Sequence, residues 1–288
     1  MQELLDSVKS LSPKERKALA ALLKRQGVNL YGVTPIFKRE PGEQPVLSYA
    51  QQRQWFLWQL EPGSAAYHIP AALRLKGALD IEALRRSFEA LIRRHESLRT
   101  TFRQDGERTL QVIHPSGSLW FEQEPLPADA ATGLDERIRA RVEAEVQRLF
   151  DLEHGPLLRV KLLHLDENDH VLVLTLHHIV SDGWSTPLMV DELVRLYEGY
   201  SQGHEVRLPE LPVQYADYAL WQRQWMEAGE RDRQLDYWTA QLGGEQPVLE
   251  LPGDRPRPAV QTYAGARLAV ELDGELARSL RELARREG

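Results

Sequence analysis

Two neighbouring runs constrain this chain more than anything else in it. Residues 157–165, Leu-Leu-Arg-Val-Lys-Leu-Leu-His-Leu, and residues 170–178, His-Val-Leu-Val-Leu-Thr-Leu-His-His, are densely apolar, and only Asp166-Glu167-Asn168-Asp169 separates them. Short apolar runs bounded by turn residues read as buried strands. They predict a hairpin at the centre of a sheet, which the rest of the chain has to cover.

The flanking pattern supplies that cover. Residues 67–76 predict another strand, and Asp80 caps a helix whose apolar positions are Ile81, Leu84, Phe88 and Leu91. Leu98–Arg103 and Arg108–His114 flank Asp105-Gly106, a strong hairpin signal. A charged helix is expected over Leu134–Leu149 and another from about Pro187 to Tyr200. Leu208-Pro-Glu-Leu-Pro212 reads as a crossing segment before a Trp- and Tyr-rich helical region, and Gly265–Leu272 and Leu276–Arg286 read as a strand and a helix. The fold class is α/β, more specifically mixed α+β: a mixed sheet with hairpins and flanking helices. No internal repeat argues for a solenoid. At the front, Leu4, Leu5, Val8, Leu11, Leu19, Leu22 and Leu23 lie at helical spacing, with Ser12 as a cap and Pro13 at the first helical position. This unit, followed by a Pro- and Gly-containing linker over Gly32–Pro45, reads equally as a docking appendage and as a packed surface helix. The last strand has nothing after it to pair with, so the chain looks unfinished.

Composition excludes several functions. Lys and Arg total 36 against 43 Asp and Glu, a formal charge of −7 with no long basic run, so nucleic acid is not an expected partner. The absence of cysteine removes disulfides, thiolate nucleophiles and Cys-based zinc sites. The start lacks a secretory signal and no stretch approaches the roughly 18 apolar residues of a membrane span. A soluble, cytoplasmic protein with no membrane partner is expected. No Gly-x-Ser-x-Gly elbow, Walker loop or Gly-x-Gly-x-x-Gly fingerprint occurs, so no standard cofactor cradle is expected.

Chemistry concentrates where the second apolar strand ends, in Leu176-His177-His178-Ile179-Val180-Ser181-Asp182-Gly183-Trp184-Ser185. Adjacent side chains on a strand point to opposite faces, so only one of the two histidines faces a given cavity. They do not converge as metal ligands would, and no third ligand is evident at suitable spacing. The functional reading is one imidazole at a strand end, placed to hydrogen-bond or accept a proton near neutral pH. The structural reading is a pair of core or turn histidines. Asp182 is placed to fix the loop by an ion pair or by accepting from backbone amides.

This segment resembles the HHxxxDG signature of condensation domains of nonribosomal peptide synthetases, within the chloramphenicol acetyltransferase-like superfamily. Three further stretches resemble motifs of that family in the right order: Leu47–Leu57, containing Ser48-Tyr49-Ala50-Gln51-Gln52-Arg53; Arg94-His95-Glu96-Ser97-Leu98-Arg99-Thr100-Thr101-Phe102; and Tyr215-Ala216-Asp217-Tyr218-Ala219-Leu220-Trp221. The segment Gln2–Arg39 also resembles the stretch before the first domain of some bacterial siderophore-peptide (pyoverdine-type) synthetases. The resemblance implies three parts: residues 1–45 as a helical segment and linker, 46–212 as the first of two lobes, and 213–288 as crossing helices and the start of an incomplete second lobe.

It further implies amide formation between a donor aminoacyl or peptidyl thioester and the α-amine of an acceptor aminoacyl thioester. Both substrates ride on phosphopantetheine arms of partner carrier proteins, with an adenylation domain in the same synthetase and no cofactor bound directly. Such an amine has a pKa of about 7.7–8.0, so a strong base is not essential. His178 is expected to face the reaction and His177 the lobe interior. Asp182 is expected to hold the loop through an arginine, with Arg53 the candidate if buried, the alternative for Arg53 being an exposed guanidinium stacked on Trp55. Gly183 is expected to allow close backbone approach and offer an amide to an oxyanion. Trp184, Ser185 and Arg99 complete the expected support. His95, Glu96 and Arg99 read as a polar network at a helix–strand junction, and Tyr215, Tyr218, Trp221 and Trp225 as packing. An epimerisation domain, another HHxxxDG acyltransferase and a carrier-docking module without turnover are the alternative readings.

Overall fold

The computed structural model describes residues 7–8, 10–126, 133–250, 252–256, 259, 268 and 270–288. They fall into two compact units, Met1–Gln246 and Pro247–Gly288. The first opens with α1 (Pro13–Lys24), a short α2 (Leu30–Val33) and α3 (Tyr49–Leu60). Then come β1 (His68–Lys76), α4 (Ile81–Arg94), a 3₁₀ turn over Glu96–Arg99, β2 (Thr100–Asp105), β3 (Arg108–Ile113) and β4 (Trp120–Pro125). After α5 (Leu134–Gln147), β5 (Leu158–Asp166) and β6 (Asp169–His177) form the hairpin that the apolar runs predict. α6 (Ser185–Ser201), α7 (Tyr215–Trp225) and α8 (Arg231–Leu242) follow.

The main sheet runs in the order β1-β6-β5-β4, so the apolar hairpin is central, with β4 parallel to β5 and the other pairs antiparallel. Period-two alternation sorts its side chains between two layers. Leu158, Val160 and Leu162 of β5 and Leu172, Leu174 and Leu176 of β6 pack with Leu84, Phe88, Leu91 and Ile92 of α4 and Met189, Leu193 and Leu196 of α6. Leu163, Leu165, Val171 and Val173 point the other way, toward Leu134, Ile138 and Val142 of α5. Arg159 and Lys161 share that second face: Arg159 Nε donates to Glu145 Oε1 at 2.6 Å, and Lys161 reaches Glu124 at 3.1 Å. Both members of the Arg159–Glu145 pair are buried.

Local signals place most element ends where the sequence predicts them. Asp80 accepts from the Ala83 amide at 2.8 Å, and Ser48 with Gln51 forms a reciprocal capping box at the start of α3. Gly106 takes φ +59° in the β2–β3 turn. That small hairpin forms its own two-stranded sheet, and Leu98, expected in its first strand, lies in the preceding 3₁₀ turn.

The leading segment is a packed element. Val8, Ala20, Leu30 and Tyr31 form a small core with Trp221 and Trp225 of α7. Trp221 Nε1 donates to the Tyr31 carbonyl at 3.0 Å, and Asn29 Nδ2 to the Trp225 carbonyl at 2.9 Å. The aromatic stripe of α7 thus does the packing its spacing suggests. Tyr215–Tyr218, Tyr218–Trp221 and Trp221–Trp225 lie at 5.4, 5.7 and 5.4 Å between ring centroids. In the second unit, Asp273 caps α9 (Gly274–Glu287), accepting from the Glu275 and Leu276 amides. Half of the strand expected over Gly265–Leu272 lies outside the described residues; Leu268, Val270, Glu271 and Leu272 are described and are not in a strand.

Candidate active site

The two histidines part company as strand geometry requires. His177, the last residue of β6, is 4% exposed, whereas His178 is exposed. The His177 amide donates to the Leu157 carbonyl at 3.1 Å and the His178 amide to the Tyr67 carbonyl at 2.8 Å, so the dipeptide is held from both neighbouring strands. Beyond it, Ile179 and Val180 are buried with Leu47, Trp55, Phe102, Phe150, Leu152 and Leu157. His178 is therefore the open member of a loop whose flanking residues are driven into the core.

His177 closes the turn from inside. Its Nδ1 accepts from the Ile179 amide at 3.1 Å, which requires an unprotonated Nδ1 and leaves the ring proton on Nε2. Its ring lies 6.0 Å from Phe150 and 6.1 Å from His68. Burial, reinforced by the neighbouring His68 and His178, lowers its pKa to about 3. The imidazole of His177 is neutral and faces inward. His68 is itself fixed, its Nδ1 2.6 Å from the Val146 carbonyl, and burial lowers its pKa too.

Asp182 holds the loop, and among the described residues it does so without an arginine. Its Oδ1 accepts from the Ser185 amide at 2.8 Å and the Ser185 hydroxyl at 2.6 Å, and its carbonyl accepts from the Thr186 amide at 3.2 Å. That is the bonding of a helix N-cap, and the Ser185 hydroxyl bond holds the carboxyl below its ordinary pKa. Arg53, the expected partner, stands on the exposed side of α3, whose inward positions are Gln51, Gln54 and Trp55. Among the described residues it makes neither an ion pair with Asp182 nor a cation–π contact with Trp55. Gly183 does not take a positive φ, and a Cβ built on it meets nothing within 4 Å. The fold does not demand glycine there, and the space over its backbone is open. Trp184 is 83% exposed beside it.

The residue that α3 does contribute is Gln51, 2% exposed. Its Nε2 donates to the Ile179 carbonyl at 3.2 Å, and its Oε1 accepts from the Ser48 amide at 3.0 Å. Ser48 Oγ lies 2.9 Å from the Tyr215 hydroxyl, tying α7 into the same scaffold. A Ser-x-x-Gln pattern ahead of α3 is the sequence signal that could have singled out this glutamine; its second bond, to a residue 128 positions away, left no local trace.

Arg99 sits elsewhere, bonding the His114 carbonyl. The expected junction network exists with partners from distant segments. His95 Nε2 lies 2.6 Å from Glu192, while Arg39 joins Glu96 at 2.8 Å to Asp217 at 2.9 Å. A cavity of about 920 Å³ next to this network is lined by residues such as Arg39, Glu96, Tyr200 and Gln214, and by none of the HHxxxDG residues. The His178 loop lies outside this cavity, with His178 its open imidazole on a pinned backbone. Among the described residues, the grouping with metal-ligand spacing is Asp151, Glu153 and His154. All three are exposed, and Asp151 is already bonded to His154 and to two amides.

The mixed sheet, its flanking helices and the HHxxxDG loop at the exit of β6 define a lobe of the chloramphenicol acetyltransferase-like fold. The condensation-domain family profile matches residues 42–288, and the chain belongs to that family. It is 46% identical over 242 residues to one component of the linear gramicidin synthase of Brevibacillus parabrevis, covering 84% of this chain and 5% of that protein. The X-domain from teicoplanin biosynthesis superposes with a TM-score of 0.72 at 31% identity, over 87% of this chain and 55% of its own. The starter condensation domain of the rhizomide synthetase RzmA shares the fold, with a TM-score of 0.62 at 21% identity over 71% of this chain and 49% of its own. The chain thus spans about half the length of these solved chains and a small part of the curated relative. None of the three lends support to the siderophore-type resemblance of the leading segment. Among the described residues no helix is long and apolar enough to cross a membrane.

Proposed function

We propose that this chain supplies the histidine-bearing half of a condensation site that joins two carrier-bound substrates in nonribosomal peptide synthesis. The carrying observation is the exposed His178 on a backbone pinned by Tyr67, Leu157 and Gln51. The acceptor's neutral α-amine attacks the donor thioester carbonyl. A C–N bond forms, the C–S bond breaks, and the pantetheine sulfur leaves as the thiolate, which ends as the thiol with the proton the amine gives up. His178 accepts a hydrogen bond from the attacking amine and, in the base-catalysed version, carries that proton. Most of the rate comes from positioning, since both arms deliver their reacting atoms to one place. The Gly183 amide, with open space above it, faces the developing oxyanion. Asp182, Trp184 and Ser185 keep that loop at the start of α6.

No cofactor is bound by the chain itself in this reading; the phosphopantetheine arms arrive on donor and acceptor carrier proteins. An adenylation domain of the same synthetase loads them in the cytoplasm. The second reading is a carrier-docking module without turnover. The test is amide formation from two loaded carriers, catalysed by this chain and by the chain extended to the length of its solved relatives, each with and without His178→Ala. Dipeptide from the extended form that disappears with His178 supports the proposal. Carrier binding without product from either form favours docking, and product indifferent to His178 overturns the assignment.

A further inference from the structure

The residues that hold His177 are plain, but His178 has to be held as well. Its backbone is pinned, yet among the described residues no side chain or carbonyl hydrogen-bonds its ring, and an exposed imidazole of that kind is free to sample its staggered rotamers. One ring contact stands against that freedom. Tyr67 meets His178 edge-on, with ring centroids 6.5 Å apart and planes at 68°, inside the roughly 4.5–7 Å range over which aromatic pairs attract.

The register explains why it is there. β1 pairs with β6 so that His68 lies opposite His177, and the next step outward sets Tyr67 opposite His178, where the His178 amide donates to the Tyr67 carbonyl at 2.8 Å. Adjacent side chains alternate on both strands at once. The inner pair, His68 with His177, therefore meets on the buried face at 6.1 Å, and the outer pair, Tyr67 with His178, meets on the open one. Two consecutive residues leading into β1, Tyr67 and His68, grip the two consecutive histidines where β6 runs out, one pair on each face. The inner partners are fixed further, His68 by the Val146 carbonyl and His177 by the Ile179 amide. For the outer pair, the half-buried tyrosine ring is the ring contact, while the Asp182 carboxylate acts on His178 through its charge alone.

We infer that Tyr67 is a positioning residue for His178, holding the exposed imidazole in the one orientation from which it meets the attacking amine. The inference rests on the proposed role of His178 and adds the residue through which its side chain is aimed. The contact is made by the ring, so phenylalanine suffices and the hydroxyl is dispensable.

The experiment measures the side-chain rotamer of His178 by three-bond couplings in labelled protein, for the unaltered chain, Tyr67→Phe, Tyr67→Leu and Tyr67→Ala. Backbone amide spectra check that each variant is folded, and Tyr67→Leu keeps the bulk if Tyr67→Ala does not fold. One dominant rotamer is expected in the unaltered chain and in Tyr67→Phe, with averaging over the staggered wells in Tyr67→Leu and Tyr67→Ala. In the extended form, kcat is expected to fall roughly 10- to 100-fold in those two variants with little change in KM, and to be restored by Tyr67→Phe. An unchanged rotamer in Tyr67→Leu overturns the inference, as does an averaged rotamer with undiminished kcat. Should His178→Ala itself leave turnover intact, the catalytic reading fails, while the rotamer measurement still decides whether Tyr67 aims the ring.

Discussion

At the scale of single residues, His177 gives a sharp pH signature. Its pKa falls from 6.5 to about 3 on folding because the ring is buried. Between those values the unfolded chain binds a proton that the folded chain refuses. Stability from this group is thus fully present above about pH 6.5 and is lost as pH falls toward 3. On the order of 2 kcal/mol should disappear between about pH 7 and pH 5. Urea unfolding at the two pH values measures it, and His177→Gln should flatten the dependence. An equal loss in that variant would assign the effect to other groups. Gly183 gives a second test. Gly183→Ala should leave stability within about 0.5 kcal/mol, since the new methyl meets nothing. Lost turnover in the extended form at unchanged stability would locate the need for glycine in the reaction rather than the fold.

At the scale of elements, the start of α6 separates what Asp182 does for the helix from what its charge does. Asparagine caps about as well as aspartate, so Asp182→Asn should keep stability while Asp182→Ala loses about 1 kcal/mol. Thermal unfolding of the two variants checks this, and equal losses would mean that the charge rather than the acceptor holds the loop. The caps, the central hairpin and the Asp105-Gly106 turn were legible in the sequence because each depends on neighbours a few residues away. The side facing inward on α3 was not. Gln51 and Gln54 are as buried as Trp55, so polarity misreports which stripe is inside and Arg53 looked like the buried polar partner. The Gln51–Ile179, Tyr67–His178 and Arg39–Asp217 contacts join segments far apart in the chain, and no periodicity encodes them. The opposite facing of His177 and His178 was legible, because strand alternation alone forces it.

At the scale of the whole first unit, the leading helical segment is held to the lobe by α7, and its attachment is concentrated in a few groups. Trp221 and Trp225 stack with planes 6° apart and bury Leu30 and Tyr31 beneath them, while the Trp221 indole and Asn29 each hold a backbone carbonyl across the contact. Arg39, at the far end of the segment, pairs with Asp217 on the same helix. Deleting one partly buried indole removes both apolar contact and a hydrogen bond. Trp221→Ala should therefore cost roughly 2 kcal/mol, below the range for a fully buried tryptophan. The cost should be local: amide exchange should accelerate over residues 13–33 while β5 and β6, whose packing does not involve Trp221, keep their protection. Because Ser48 joins α7 through Tyr215, near Asp217, the loop that carries His178 should exchange as slowly as before if the two ends of α7 act independently. Faster exchange at Ile179 and Val180 in the same variant would mean that the leading segment, through α7 and Gln51, helps hold the histidine loop in place.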